Sequence, residues 1–102
     1  MKLLTQEIRK KLPPLYSQED KGGKAIVHLK MFTPDAGFTF YATEFDGEDT
    51  FFGLVDGHEK ELGYFSLKEL KSVRGGLGLP IERDLYWTPK TLEEIAPEMF
   101  KD

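Results

Sequence analysis

The sequence predicts an α+β domain, an antiparallel β-meander of four to five strands with short helices packed on one face. Three observations carry this. Residues 45–53 and 55–63 echo each other: Phe45-Asp46-Gly47-Glu48-Asp49-Thr50-Phe51-Phe52-Gly53 is followed by Val55-Asp56-Gly57-His58-Glu59-Lys60-Glu61-Leu62-Gly63. Each copy reads apolar, Asp-Gly, acid-rich loop, apolar, Gly. Asp-Gly between apolar runs signals a hairpin, because glycine reaches positive φ without a Cβ clash. Eight of the thirteen aromatic residues lie between Phe38 and Phe65, and aromatics suit a pleated, half-buried surface. Outside that segment, Ser66-Leu67-Lys68-Glu69 and Thr91-Leu92-Glu93-Glu94 have the spacing of capping boxes, which open helices.

Each element follows from local chemistry. Residues 5–12 form a helix capped by Thr5, with Leu4, Ile8 and Leu12 on one stripe, and Pro13-Pro14 stops it. Residues 17–24 are polar, contain Gly22-Gly23 and read as a mobile loop. Residues 25–32 alternate, with Ala25, Val27, Leu29 and Met31 on one face of a strand. Pro34 presets the turn before a second strand at 38–45. Strands at 51–55 and 62–65 follow. Connections of about 5–6 residues are too short for parallel crossovers, so these neighbours pair antiparallel. A helix runs from Ser66 to about Val73 and ends in the glycine-rich loop 74–80. Residues 85–87 add a short fifth strand, and Thr91 opens a last helix that Pro97 interrupts. Gly53 and Gly63 are read as making room for neighbouring aromatics, with close backbone approach as the alternative.

A chain of 102 residues with 39% hydrophobic content forms one domain, residues 1–102, and buries one core. It has no cysteine, which excludes disulfides, thiolate nucleophiles and cysteine-ligated metals. The N-terminus lacks a signal-peptide apolar stretch, and no segment approaches the roughly 20 apolar residues that span a bilayer. The expectation is a soluble, cytoplasmic protein with no membrane partner. Net charge is −4, and seven acids between Glu44 and Glu61 stand against one base, Lys60. That balance disfavours binding to phosphate backbones, although Arg9, Lys10, Lys11 and Arg74 leave nucleic acid open as a third reading.

No catalytic motif emerges. The two acidic loops have the donors for a hard cation. However, consecutive meander loops lie at opposite sheet ends, separated by a strand of about 17 Å. Neither loop has EF-hand spacing, so no metal site and no cofactor are expected. His58-Glu59 opens a zincin-like pattern that fails at Leu62. His28 sits on a strand, where pairing with Glu44 or Asp56 would make it a general base. The loop Gly75-Gly76-Leu77-Gly78 follows a helix instead of preceding one, which suits a C-cap and not a phosphate cradle. Glu82, Arg83 and Asp84 adjoin Tyr86 and Trp87, residue types enriched at binding hot spots.

Several stretches resemble domain-of-unknown-function family 2958. They are Leu12-Pro13-Pro14-Leu15-Tyr16, residues 41–49 continuing through Gly53-Leu54-Val55, Glu61-Leu62-Gly63-Tyr64-Phe65-Ser66-Leu67, and Leu79-Pro80-Ile81-Glu82-Arg83-Asp84. The resemblance covers nearly the whole chain. It implies the setting of bacterial plasmids, integrative elements and phages, and a small accessory protein near replication, partition or counter-defence functions. The family has no established activity, so it supplies no site residue.

Two readings follow. The first is a non-enzymatic, acidic protein-interaction module that docks on a basic partner surface. Its candidate binding residues are Glu44, Asp46, Glu48, Asp49, Asp56, Glu59, Arg83 and Trp87. The second is a small hydrolase or nuclease-like enzyme using Glu44, Asp46, His58 and Glu82. The residues alone leave open whether any reaction exists.

Overall fold

The computed structural model describes residues 1–101. The Thr5 hydroxyl accepts the Ile8 amide at 3.2 Å and opens α1 (Gln6–Lys11). Leu12 turns extended ahead of Pro13, as a residue before proline does. Segment 17–24, expected as a mobile loop, is instead built around a buried Gln18 and two 3-10 turns kinked at Gly22. The Gln18 side chain donates to the Ile26 and Thr43 carbonyls and accepts from the Ile26 amide. It thereby supplies ladder bonds where two strands diverge.

The strand expected over 25–32 is two strands, β1 (Ile26–Val27) and β2 (Leu29–Phe32). Val27 is buried in one apolar cluster and Leu29 in another. The alternation expected through His28 is therefore broken there. After it come β3 (Thr39–Phe45), β4 (Thr50–Asp56) and β5 (Lys60–Ser66). Ser66 then caps α2 (Leu67–Ser72) by accepting the Glu69 amide. The fifth partner strand, β6, forms at Glu82–Arg83 and not at 85–87. Asp84 accepts the Tyr86 amide and turns the chain, leaving Leu85 and Tyr86 exposed. Finally β7 (Lys90–Thr91) leads into α3 (Leu92–Ile95), with both bonds of the capping box at Thr91 and Glu94, and Pro97 starts a 3-10 turn.

The main sheet runs β5-β4-β3-β2-β6, antiparallel throughout, and β1 pairs with β7 beside it. The meander matches the expectation. On one face Phe45, Phe51 and Phe65 stack at centroid distances of 4.5 and 5.4 Å, beneath Leu67 and Leu70 of α2 and the α1 end of the chain. The expectation of helices on one face holds for α1 and α2. The opposite face, carrying Leu54, is closed by Leu92 and Ala96 with Ala25 and Val27. The sheet is buried on both sides because β4 alternates Phe51 into one cluster and Leu54 into the other.

Gly53 and Gly63 sit directly opposite each other in the β4–β5 register yet differ in kind. A Cβ on Gly53 would lie 1.8 Å from the Tyr41 carbonyl oxygen, whereas one on Gly63 would meet nothing within 4 Å. Gly53 thus answers to close backbone approach and not to a bulky aromatic. Gly53→Ala should destabilise the fold by about 2 kcal/mol or more, as overpacking against backbone does. Gly63→Ala should stay within about 0.5 kcal/mol of the parent. Chemical denaturation of the two variants checks the contrast.

Candidate protein-binding surface

The acidic residues divide by what their carboxylates already hold. Asp46 Oδ1 accepts the amides of Glu48, Asp49 and Thr50 at 2.8, 2.9 and 3.0 Å. Asp49 accepts the Ser66 hydroxyl and the Lys68 amide, tying the β3–β4 turn to the start of α2. These bonds favour the charged form. The Glu48, Asp49 and Thr50 amides hold Asp46 below the usual carboxylate range, and the Ser66 hydroxyl followed by the Lys68 amide does so for Asp49. Glu44 is only 3% exposed, and its two oxygens accept the Tyr16 and Gln18 amides at 2.8 Å each. Asp56 lies opposite Lys60 in the ladder. By contrast Glu48 and Glu59 are exposed and their carboxylates hold no hydrogen bond or ion pair among the described residues, and the carboxylate of Glu61, which was not among the candidates, is in the same state. Glu61 lies in β5 because that strand starts two residues earlier than the apolar pattern shows. Lys60, the lone base of the segment, is engaged by Glu98.

A β-bulge puts Glu44 where it is. In the β3–β4 register Ala42 faces Gly53 and Glu44 faces Phe52, so Thr43 has no opposite residue. The Thr43 hydroxyl donates to the Phe52 carbonyl. An extra residue reverses the alternation of the strand beyond it. Glu44 therefore turns to the Phe52 side while Phe45 joins Phe51 in the stacked core. The amides that Glu44 binds hold Tyr16 at φ 72, a backbone conformation that costs a bulky residue roughly 1–3 kcal/mol.

Tyr16, Glu44, Phe52, Leu62, Tyr64 and Phe100 line a cleft of about 150 Å³. Tyr16 is 64% and Tyr64 55% exposed, and the Phe52 and Tyr64 rings meet edge-on at 5.1 Å. The Tyr64 phenol is raised above its ordinary value, first by the Tyr16 hydroxyl beside it, then by burial and by the negative charge of Glu19 and Glu44. Tyr16 enters the sequence reading only through the family resemblance, and no local pattern marks its positive φ, since the carboxylate its amide binds is 28 residues away.

Arg83 and Trp87 lie elsewhere. Arg83 is in β6 opposite Met31, and the Trp87 indole donates to the Val27 carbonyl at 3.0 Å with the Lys30 and Lys90 ammonium groups over its ring. The candidate residues therefore do not form one surface. The residues of the hydrolytic reading are likewise dispersed. Glu44 and Asp46 hold backbone amides, Glu82 faces Phe32 across β2, and His58 packs edge-on against Phe38 at the other end of β4. His28 is held below its ordinary value by burial, then by Lys11 and Lys21. Among the described residues no cluster of three or more His, Asp or Glu side chains has metal-binding geometry, and no helix is long and apolar enough to cross a membrane. The glycine-rich loop is pinned by Asp35, whose Oδ2 accepts the Leu77 amide at 2.7 Å.

A small α+β protein with a bulged meander and an aromatic cleft beside a sheet edge is the class these features define. Residues 3–95 match the family described as "Protein of unknown function (DUF2958)", and the chain belongs to that family. No curated protein and no solved structure matches it.

Glu44→Gln tests the buried carboxylate. A glutamine turns an NH₂ toward one of two amide donors, and leaving a buried donor unpaired costs about 1–3 kcal/mol. The expected melting shift is downward by about 4 °C or more. The Asp46 carboxyl, depressed in the fold, stabilises it fully above the ordinary value near ~3.9, and that stabilisation is lost as pH falls through the lower folded value. Asp46→Asn keeps an acceptor oxygen but removes the titration. Melting curves between about pH 6 and pH 3 should fall less steeply for the variant than for the parent.

Proposed function

We propose that this chain is a small non-enzymatic accessory protein of mobile genetic elements, acting as an acidic protein-interaction module in a counter-defence setting. The observation that supports docking is the division of its carboxylates. Glu44, Asp46 and Asp49 are consumed by the fold, while Glu48, Glu59 and Glu61 remain exposed and unengaged among the described residues. The β3–β4 turn with Glu48 adjoins the C-terminal end of β5 through Asp49 and Ser66. Glu59 precedes its N-terminal end and Glu61 lies within it. Free charge thus brackets one sheet edge. A partner with a basic surface would be steered there, with the field acting mainly on the association rate. The mobile-element setting is what the sequence resemblance to this family implies; the family itself is described only as of unknown function.

The test reverses Glu48, Glu59 and Glu61 together to Lys. Asp49 is left intact because Ser66 and Lys68 depend on it. The variant should keep its fold, lose capture of a salt-sensitive protein partner from host lysate, and show the loss in the on-rate. Unchanged binding kinetics by a folded triple variant would refute the reading.

A further inference from the structure

We infer that the outer edge of β5 is a template for strand addition, and that its occupant is an extended partner segment alternating apolar and basic residues. This rests on the acidic-docking reading and gives it a binding mode. The Leu67 amide donates to the Asp49 carbonyl at 2.8 Å and the Gly57 amide to the Glu59 carbonyl at 3.1 Å. The β4–β5 register between those pairs is unbroken. Hydrogen-bonded pairs in an antiparallel ladder recur every second residue. The backbone groups of Glu61, Gly63 and Phe65 are therefore spent on β4, and those of Lys60, Leu62, Tyr64 and Ser66 point outward. The β3–β4 ladder agrees, since the Asp46 amide donates to the Thr50 carbonyl and the even residues of β4 face β3. β5 ends the sheet, and no strand pairs with its outer side among the described residues. An open row of amides and carbonyls is a ready site for β-augmentation.

Side chains and charge select the occupant. Leu62 and Tyr64 face the cleft, and Gly63 between them has open space at its Cβ position on the opposite face, the side of Glu61. Alternate side chains of an added strand would extend over that apolar cleft, and the others would lie beside Glu61. Its ends would meet Glu48 and Glu59. A second copy of this chain fits poorly. Antiparallel pairing of β5 with itself would bring the Asp46–Asp49 loop of one copy beside the Asp56–Glu59 loop of the other, acid against acid.

The probe is a capped peptide of about eight residues alternating lysine and valine, with an analogue N-methylated on one edge and a counterpart alternating glutamate and valine. Amide hydrogen exchange by NMR is the readout. At saturating lysine–valine peptide, exchange at Leu62 and Tyr64 should slow by about tenfold or more, while Gly63 and Phe65, already bonded, should change little. The N-methylated analogue should lose this protection, and the glutamate peptide should not bind. Absence of binding by the lysine–valine peptide would overturn the inference. So would equal binding by the N-methylated analogue, or protection of Leu62 and Tyr64 that grows with protein concentration alone and marks a second copy as the occupant. The charge-reversed variant separates the two proposals. If it loses its captured partner while the peptide gives no protection, strand addition fails and acidic docking stands. If the peptide protects Leu62 and Tyr64 equally in parent and variant, the edge takes a strand without charge selecting it, and both the basic occupant and acidic docking fail.

Discussion

A single unopposed residue, Thr43, governs how one flank of this protein is assembled. By shifting the β3 register, it turns Glu44 away from the stacked phenylalanines and toward Phe52. Had the alternation run on unbroken, Glu44 would share the face that Phe45 now fills. A carboxylate buried there would lack donors, and an unpaired buried charge is among the costliest features a core can hold. On the opposite face it finds two amides, from Tyr16 and Gln18. Gln18 then bonds to Ile26 and Thr43, so the bulge, the carboxylate and the glutamine form one chain of dependence. Segment 13–18 is held by these bonds and forms a wall of the cleft.

The same economy explains the acid-rich loops. An acidic turn looks uniform in sequence, but its carboxylates do unlike work. Asp46 closes its own turn by accepting three amides, and Asp49 reaches across to Ser66 and Lys68 at the start of α2. Charge used this way is locked to backbone dipoles. Charge left over on Glu48, Glu59 and Glu61 sits in water, where it shapes the long-range field. The local excess of negative charge is therefore both a folding device and a surface property, carried by different residues.

The meander was legible because its signals are local. Asp-Gly turns, aromatic runs and short connections all act within about ten residues, and they placed β3, β4, β5 and their antiparallel order. Thr5, Ser66 and Thr91 were likewise readable as caps, since a cap needs only the next turn of helix. The fifth strand lies a few residues before the apolar Leu85 and Tyr86 pattern that signals it, because Asp84 turns the chain ahead of that pattern. The 17–24 segment read as mobile because polarity and Gly22-Gly23 say nothing about a carboxylate 26 residues further on.

Composition and spacing by themselves determined an α+β chain without cysteine chemistry, a four-strand antiparallel core and an acidic centre. Those properties follow from residue type and near-neighbour geometry. Tertiary structure decided which acids are free, that the two faces of the sheet bury separate clusters, and that Arg83 and Trp87 stand apart from the acidic edge. It also decided that Gly53 is required while Gly63 is open, although both glycines look alike in the repeat. Each of these outcomes depends on strand register. A one-residue shift at Thr43 exchanges the faces of the residues that follow it, and the sequence carries no local mark of that shift.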